Sequence, residues 1–245
     1  MGANCNIVCV HCGAEATDLY RNYGKNVIKL CECDNCGKFV DHYIEYDSVL
    51  IYIDLLLQYT AAYRHVFVNR VYLVKSLWRI VCLFSICEAY RKWAVRMESA
   101  NKSVLDGFID LEWKFYECIV ESLSEIAAFG FSTLGFSLIF DLKTKLSLRS
   151  VFWISCCGYY GKAFVLLAVI WNLHHTWEYV FLIEAFLILS HYQIQNILFS
   201  DSPKLNALMV LLSWITSYLA GSYCHIVFDY TNQNYKSWFD YIRAL

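Results

Sequence analysis

The sequence has very little proline and few charged residues. The 245 residues include one proline, so the sequence has few of the turn-forming residues on which all-β folds depend. Charged residues make up 17% of the chain and hydrophobic residues 58%, whereas about a quarter of an ordinary soluble domain is charged. These proportions disfavour a soluble all-β protein and predict a helical membrane protein.

The chain also lacks an excess of positive charge. Its 20 Lys and Arg residues are balanced by 22 Asp and Glu residues, which gives a net charge of -2. A protein that binds nucleic acid mainly through the phosphates needs a basic surface. We therefore expect no nucleic acid among its partners.

Motifs of common enzymes and of secretion are missing as well. Gly-x-Ser-x-Gly, Walker A and dinucleotide-binding glycine patterns do not occur, and the adjacent His174 and His175 have no second pair. We therefore expect no enzyme and no catalytic residues. The segment from Met1 to Cys5 has no basic region followed by an apolar stretch, so we expect no secretory signal.

Four long apolar segments predict transmembrane helices. Residues 205–228 contain no Asp, Glu, Lys or Arg over 24 positions, and a helix of that length rises about 36 Å, enough to cross a hydrocarbon core of about 30 Å. Residues 151–173 and 179–199 are joined by a short link and predict an antiparallel hairpin. Residues 122–140 give the fourth predicted span.

A fifth span is an open alternative. Residues 71–90 are long enough, but they carry Lys75, Arg79 and Glu88, and central charges in a bilayer are costly unless they are paired or reach the interface. Residues 71–245 therefore predict a helical transmembrane domain with four spans, or with five if this segment crosses.

Residues 1–47 hold six of the twelve cysteines. Cys9 and Cys12 form one Cys-x-x-Cys pair and Cys33 and Cys36 form another, each followed by glycine. Tetrahedral zinc takes four thiolates at about 2.3 Å, and a two-residue gap lets one turn supply two of them. A glycine after each pair can adopt positive φ and turn the chain back toward the sulfurs.

We interpret residues 1–47 as a zinc ribbon that binds one structural Zn²⁺, with a β-hairpin around Gly24 and Lys25. Four thiolates leave no open position for water or substrate, so catalysis at the metal is disfavoured. Cys5 and Cys31 are expected not to be ligands. Two disulfides or a redox pair remain the alternative, although disulfides need an oxidising compartment.

Residues 48–70 predict one amphipathic helix that lies at the membrane surface. At 100° per residue its polar groups form a narrow stripe, and apolar side chains cover much of the rest. The stripe either faces water or meets lipid headgroups. It consists of Asp54, Gln58, Ala61, His65 and Asn69.

Arg64 lies off this polar stripe and has two kinds of candidate partner. It can pair with Glu45 or Asp47, or its guanidinium can bind a lipid phosphate through two parallel hydrogen bonds. The neighbouring Tyr63 is expected to contribute to the same site.

Polar residues also occur inside the apolar half of the chain. Pairing of the predicted hairpin about a turn near residue 176 sets Lys162 opposite Ser190, with Glu184 about 9 Å further along the axis. The resulting cluster is either a structural hydrogen-bond network or a lipid-handling site. It comprises Lys162, Glu184, His191 and Gln195.

Glu117, Glu121 and Glu125 form an acidic stripe at a spacing of four residues. A solvated helix face is the favoured interpretation. Because like charges at this spacing repel each other, basic partners are the alternative. The candidate partners are Lys75, Arg79, Arg91, Lys92 and Arg96.

The segment after the ribbon resembles a known family. It contains the strings Val40-Asp41-His42-Tyr43-Ile44-Glu45-Tyr46-Asp47 and Ala62-Tyr63-Arg64-His65, followed by Asn69. Together with both cysteine pairs and Leu19-Tyr20, these strings are similar to the Arv family, named for an ACAT-related protein required for viability. The resemblance is close over about residues 7–70, and beyond them only the arrangement of hydrophobic segments matches.

The resemblance implies a multi-pass protein of the endoplasmic reticulum membrane, and a reducing compartment for the thiolates places the ribbon in the cytosol. It implies roles in sterol distribution, sphingolipid homeostasis and early glycosylphosphatidylinositol anchor assembly, with membrane lipids as partners. The alternative is an adaptor that moves no lipid and recruits a lipid-synthesising complex, such as glycosylphosphatidylinositol-synthesis enzymes. We expect lipid or partner binding at Asp54, Tyr63, Arg64, His65, Lys162, Glu184, His191 and Gln195.

Overall fold

The chain forms a small β-rich unit followed by a helical bundle, as seen in a computed structural model. The structure describes the chain apart from several short segments. The described residues are 7–24, 28–70, 77–99, 108–142, 144, 146–173, 176–199 and 203–243.

Two antiparallel hairpins build the N-terminal unit. The strands are β1 (Ile7–Val8), β2 (Glu15–Ala16), β3 (Tyr20–Asn22) and β4 (Ile28–Leu30), paired β1 with β2 and β3 with β4. Strands this short enclose only a small core, in which Cys9, Cys33 and Val40 are buried. The predicted small β unit and its hairpin around Gly24 are confirmed.

A helical hairpin follows the β-rich unit, where the sequence predicts a single helix over 48–70. Helix α1 (Ser48–Leu56) ends in a turn, and α2 (Thr60–Arg64) continues into a π-helical turn (His65–Asn69). Gln58 causes the break, because its φ of 62° is left-handed. Such a conformation costs a non-glycine residue roughly 1–2 kcal/mol, which its side-chain hydrogen bonds offset.

Within the described part of the chain, four helical segments are long and apolar enough to cross a membrane. They are Glu112–Ile139, Leu148–Ile170, Trp177–Leu198 and Pro203–Asn232. They overlap the four predicted spans 122–140, 151–173, 179–199 and 205–228. The protein is therefore a multi-pass membrane protein.

These spans belong to five helices. The helices are α4 (Phe108–Ile139), α5 (Leu148–Cys157), α6 (Phe164–Ile170), α7 (Trp177–Leu198) and α8 (Pro203–Arg243). A 3₁₀ segment, Gly158–Ala163, joins α5 to α6 in the middle of their span. Glycine is needed at Gly161, because a Cβ there would come within 2.6 Å of the Phe186 ring.

Helix α3 (Leu77–Ser99) occupies the region of the possible fifth span. It is about 34 Å long, since each of its 23 residues rises 1.5 Å. It packs against α4, α5, α6 and the 3₁₀ segment, but it is too polar to count among the four apolar spans. Residues 71–76 of the predicted segment lie outside the described residues.

The hairpin of α5, α6 and α7 pairs in a register different from the predicted one. Ser190 Oγ donates to the carbonyl oxygen of Gly158 at 3.1 Å, so the pairing is centred near residue 174 and not near residue 176. The predicted register is wrong because α6 ends at Ile170 and the chain turns immediately, with Asn172 at a φ of 54°.

Candidate metal centre and its attachment to the membrane helices

The four predicted ligands come together in the β-rich unit. The sulfur atoms of Cys9, Cys12, Cys33 and Cys36 all lie within 4.8 Å of one another. The Sγ–Sγ distances are 3.7 Å for Cys9 and Cys36, and also 3.7 Å for Cys12 and Cys33. A sulfur tetrahedron with metal–sulfur bonds of about 2.3 Å has edges of about 3.8 Å. The arrangement therefore fits one four-coordinate metal ion.

A disulfide does not fit these distances, since bonded sulfur atoms are about 2.05 Å apart. All four cysteines are free thiols. Cys31 is not part of the sulfur group, as predicted, and Cys5 lies outside the described residues. Four sulfurs would leave a metal ion at this site no open position for water or substrate, so its role would be structural.

Each cysteine pair turns on the glycine that follows it. Gly13 and Gly37 have φ values of 77° and 67°, in the left-handed region that favours glycine. The N–H of Gly13 donates to the carbonyl oxygen of Cys9 at 2.9 Å, and that of Gly37 donates to Cys33 at 2.8 Å. We call residues 9–13 the first knuckle.

Two histidines stack beside the sulfur group without joining it. The ring centroids of His11 and His42 are 5.0 Å apart and nearly parallel. Burial lowers the pKa of His11, and the positive charges of Lys38 and Arg64 lower it further. Burial and the neighbouring His11 likewise lower the pKa of His42. Both rings are therefore neutral at neutral pH.

Arg64 binds the first knuckle. Its Nη1 donates to the carbonyl oxygens of Val10 and His11, both at 2.9 Å, and these take the place of the predicted partners Glu45 and Asp47. The guanidinium also lies against Gly13, where a Cβ would be 3.4 Å from Nη2. Arg64 thus connects the metal centre to the helical hairpin.

Replacing Arg64 by alanine should loosen the first knuckle. The substitution removes two charge-assisted hydrogen bonds, and we expect a local loss of about 2–3 kcal/mol. Hydrogen exchange of the backbone amides of residues 9–13 should rise while the metal content stays at one ion per chain. Arg21→Ala, on the exposed strand β3, is the matched control; unchanged exchange in Arg64→Ala would contradict the assigned role.

Asp41 forms a second connection between the β-rich unit and the hairpin. It is fully buried, and its Oδ2 lies 2.7 Å from His65 Nδ1 and accepts a hydrogen bond from Asn69 Nδ2 at 2.8 Å. Its Oδ1 accepts from the backbone N–H of Tyr43 at 3.1 Å. A buried carboxylate without such partners would be costly, so Asp41 fixes the two parts in one arrangement.

The side chain of Asn69 pairs with strand β1 in the way that the backbone of a neighbouring strand would. Its Oδ1 accepts from the N–H of Val8 and its Nδ2 donates to the carbonyl oxygen of Val8, both at 3.0 Å. The side-chain amide therefore pairs with both backbone groups of one residue in β1. This contact holds the last turn of the hairpin against the sheet.

The turn of the hairpin contacts the spanning helices. Tyr63 is fully buried, and its hydroxyl oxygen lies 2.6 Å from that of Tyr160 and 3.3 Å from Ser190 Oγ. Gln58 Nε2 donates to the Tyr160 hydroxyl at 3.0 Å. Thr60 Oγ1 donates to Gln193 Oε1 at 3.0 Å. The hairpin is thus bound to the β-rich unit at one end and to the bundle at the other.

The predicted polar stripe is occupied by these internal contacts. Asp54 accepts a hydrogen bond from the Tyr43 hydroxyl at 2.8 Å, and Gln58, His65 and Asn69 are bonded as described above. Neither water nor headgroups need to cover the stripe. A role of Asp54, Tyr63, Arg64 and His65 in binding lipid or a partner stays a prediction.

The polar cluster predicted around Lys162 is only partly assembled. His191 and Gln195 are buried in the bundle, and Gln195 Nε2 donates to Thr133 Oγ1 at 3.3 Å. Lys162 pairs instead with Glu88 of α3, with Nζ and Oε1 3.1 Å apart. Glu184 is half-buried on α7.

His191 packs between aromatic rings. Its ring centroid lies 4.1 Å from that of Phe129 and 4.6 Å from that of Tyr159. Both of its ring nitrogens are buried without a hydrogen-bond partner among the described residues. It contributes packing to the bundle interior, and a role in lipid binding stays a prediction.

The acidic stripe on α4 has basic partners, so its interpretation as a solvated face is wrong. Lys92 Nζ lies 2.8 Å from Glu121 and 2.6 Å from Glu125, and Arg96 Nη2 lies 2.6 Å from Glu121. Glu117 accepts from Asn232 at 2.8 Å. The stripe therefore faces α3 and α8. Pairing with these helices stabilises carboxylates that would be unfavourable among apolar side chains without a partner.

Comparison with known proteins places the chain in a family. It matches the Arv1-like family over residues 8–194, a stretch that includes the four cysteines, the hairpin and most of α7. The chain belongs to the Arv1-like family.

Relatives in this family come from animals and plants. Protein ARV1 of Bos taurus is 34% identical over 214 residues, which cover 85% of this chain and 75% of that protein. Protein ARV1 of Homo sapiens is 32% identical over 214 residues, covering 85% and 78%. Protein ARV 1 of Arabidopsis thaliana is 26% identical over 220 residues, covering 87% and 86%. No solved structure matches the chain.

Three residues of the site carry roles that the sequence did not assign. Asp41 belongs to one of the strings on which the resemblance to the Arv family rests, and that was the one signal for it. Glu88 was recognised only as a costly charge, and Tyr160 gave no signal because a tyrosine inside an apolar segment is common. Each role depends on a contact across the fold.

Proposed function

We propose that the protein acts in the endoplasmic reticulum membrane, where it moves or presents lipid intermediates such as sterols and glycosylphosphatidylinositol precursors. The observation that carries the proposal is membership of the Arv1-like family over residues 8–194. This match covers the metal centre, the hairpin and the first three of the four spans. The proposal includes no catalytic step, and sphingolipid balance would follow from altered lipid distribution.

A row of charges inside the bundle supports lipid handling. It runs from Lys162 through Glu88 to Arg91 and continues at Lys92 and Glu125. Several of these side chains remain partly accessible, with 24% of Arg91 and 18% of Glu125 exposed. A polar headgroup needs such a surface because the hydrocarbon offers it no hydrogen bonds.

We propose zinc as the metal of the four-cysteine site. Four thiolates in tetrahedral arrangement suit zinc, which has no redox chemistry of its own. The ion would link the two cysteine turns of a unit too small to fold on its apolar core alone. Its function is to hold the first knuckle in the shape that Arg64 binds.

Reconstitution tests the proposed function. Purified protein in liposomes should accelerate the transfer of a labelled sterol or a labelled glycosylphosphatidylinositol precursor several-fold over protein-free liposomes. A heat-inactivated sample of the same protein controls for leakage through damaged membranes. Transfer at the protein-free rate with every lipid tested would contradict a transporter.

An adaptor that recruits lipid-synthesis enzymes is the second candidate. A cleft of about 460 Å³ on the β-rich unit favours it. Its lining combines charge and aromatic surface, with Glu32, Lys38, Phe39 and Tyr46 at its edge. An adaptor would co-purify with an enzyme complex, lose it on Lys38→Glu substitution, and accelerate no lipid transfer in liposomes.

We propose that α3 also crosses the membrane, with the metal centre in the cytosol. Its length suffices, and its inner charges are paired with carboxylates and Lys162, which removes the objection to a polar span. Thiolates that bind a metal favour the reducing cytosol. A crossing at α3 places residues 100–107 in the lumen; these residues lie outside the described part of the chain.

The sequon Asn101-Lys102-Ser103 provides a test of this topology. Glycosylation occurs only in the lumen, so Asn101 should carry a glycan. Endoglycosidase treatment should then increase the electrophoretic mobility, and Asn101→Gln should abolish that effect. A cysteine at position 145 that an impermeant maleimide labels only after the lumenal side is opened would contradict five spans.

A further inference from the structure

We propose that residues 48–69 form a re-entrant hairpin, which enters the bilayer beside the metal centre, turns near the middle of the membrane and returns to the same side. The hairpin presents its apolar outer face to lipid acyl chains. This inference rests on the four spans and the contacts of the hairpin, and it is independent of the proposed lipid transfer.

The turn of the hairpin contacts the centres of two spans. Tyr160 is the 13th of the 23 residues in Leu148–Ile170, and Ser190 is the 14th of the 22 residues in Trp177–Leu198. Gln58 and Tyr63 both reach the Tyr160 hydroxyl, at 3.0 and 2.6 Å. If those spans cross the bilayer, the turn lies near its midplane.

The other end of the hairpin lies in water. Asn69, the last residue of the hairpin, is bonded to Val8 of the β-rich unit, and the outer surface of this unit is charged. Its exposed charged residues include Asp18, Arg21, Lys29, Glu32, Asp34 and Lys38. Charges of this kind are excluded from hydrocarbon unless they are paired, so the β-rich unit stays outside the membrane.

The length of the hairpin matches the distance between these two positions. Helix α1 has nine residues and is therefore about 13.5 Å long. Half of a hydrocarbon core is about 15 Å. An arm of this length carries the chain from the interface to the midplane.

The outer face of the hairpin is apolar. Val49 and Leu57 are 66% and 61% exposed, and several neighbouring side chains are exposed with them. The exposed set also includes Leu50, Tyr52, Ile53, Leu56 and Tyr59. So large an apolar surface is unfavourable in water, whereas in the bilayer it continues the lipid-facing surfaces of the spans.

Backbone groups at the turn have partners, as hydrocarbon requires. The carbonyl oxygen of Leu55 accepts from the Tyr160 hydroxyl at 2.9 Å and from the N–H of Gln58 at 3.1 Å. The N–H of Tyr59 donates to the carbonyl oxygen of Asp54 at 3.0 Å. The left-handed turn at Gln58 is thus adapted to a dry environment.

Depth-dependent quenching tests the inference on the full chain. A fluorescent noncanonical amino acid replaces Leu57 in one variant and Val49 in another, and each variant is reconstituted in phosphatidylcholine vesicles. The lipids carry a nitroxide at acyl carbon 5 or at acyl carbon 12. The same probe at two exposed positions provides the references. Leu148 at the end of one span is the shallow reference, and Leu189 at the centre of another span is the deep reference.

The two positions should differ. The probe at position 57 should be quenched at least two-fold more by the carbon-12 nitroxide than by the carbon-5 nitroxide, as at position 189. The probe at position 49 should show the opposite preference, as at position 148. Two shallow positions would mean a hairpin lying flat on the surface and would overturn the proposal. If the label at 57 prevents folding, the label at the exposed neighbour Leu56 decides between the same two outcomes.

Discussion

Replacing Cys36 by serine is expected to abolish metal binding and unfold the β-rich unit. The unit has short strands and a small core, so the proposed zinc ion would be its main source of stability. Structural zinc contributes on the order of 10–16 kcal/mol in small domains. Elemental analysis of the purified chain should fall from one zinc per chain to none, and trypsin should then cleave within residues 7–40.

Cys31→Ser is the matched control for this substitution. Cys31 lies close in sequence and is partly buried, but it is outside the sulfur group, so zinc content and protease resistance should be unchanged. The same is expected of Cys5→Ser. A wild-type chain purified with disulfides among Cys9, Cys12, Cys33 and Cys36 and without metal would refute the metal centre.

Substitution of Glu88 by alanine should destabilise the bundle strongly. Glu88 is buried between α3 and the 3₁₀ segment, and it pairs with both Lys162 and Arg91. Its removal leaves the buried Lys162 without a carboxylate, and breaking a buried pair costs about 3–5 kcal/mol. The thermal unfolding of the purified protein in detergent measures the loss.

A second variant separates the ion pair from general packing. Glu88→Leu combined with Lys162→Met replaces the pair by apolar groups of similar size, and it should recover much of the lost stability. Glu178→Gln, at an exposed carboxylate in the first turn of α7, should have little effect. If Glu88→Ala unfolds at the wild-type temperature, the ion pair does not stabilise the bundle.

Local patterns in the sequence predicted the metal ligands and the spans. The spacing of Cys9, Cys12, Cys33 and Cys36 predicts a four-sulfur site. Each Cys-x-x-Cys-Gly turn forms within five consecutive residues, so its geometry does not depend on distant contacts. The four spans were equally predictable, since their length and apolarity are imposed by the membrane and not by neighbouring helices.

Features that depend on tertiary contacts were not predictable. The sequence around Gln58 keeps a helical pattern and so gives no sign of the break. The positive φ of Gln58 is supported by its hydrogen bond to Tyr160, which is more than a hundred residues away in the chain. The pairing of Lys162 with Glu88 required the position of α3. The acidic stripe including Glu121 resembled a solvated face because sequence spacing does not reveal which helix covers it.

We expect the proposed lipid transfer to depend on the attachment of the metal centre to the helical hairpin, and through the hairpin to the spans, that Asp41 provides. The most direct measurement is the transfer rate of labelled lipid in liposomes containing Asp41→Ala, compared with the wild type and with Asp18→Ala at an exposed site. The variant should retain one zinc per chain and insert normally, yet lose most of the protein-dependent transfer, whereas Asp18→Ala should retain it. Wild-type transfer by Asp41→Ala, with increased hydrogen exchange showing that the β-rich unit has come loose, would contradict the claim.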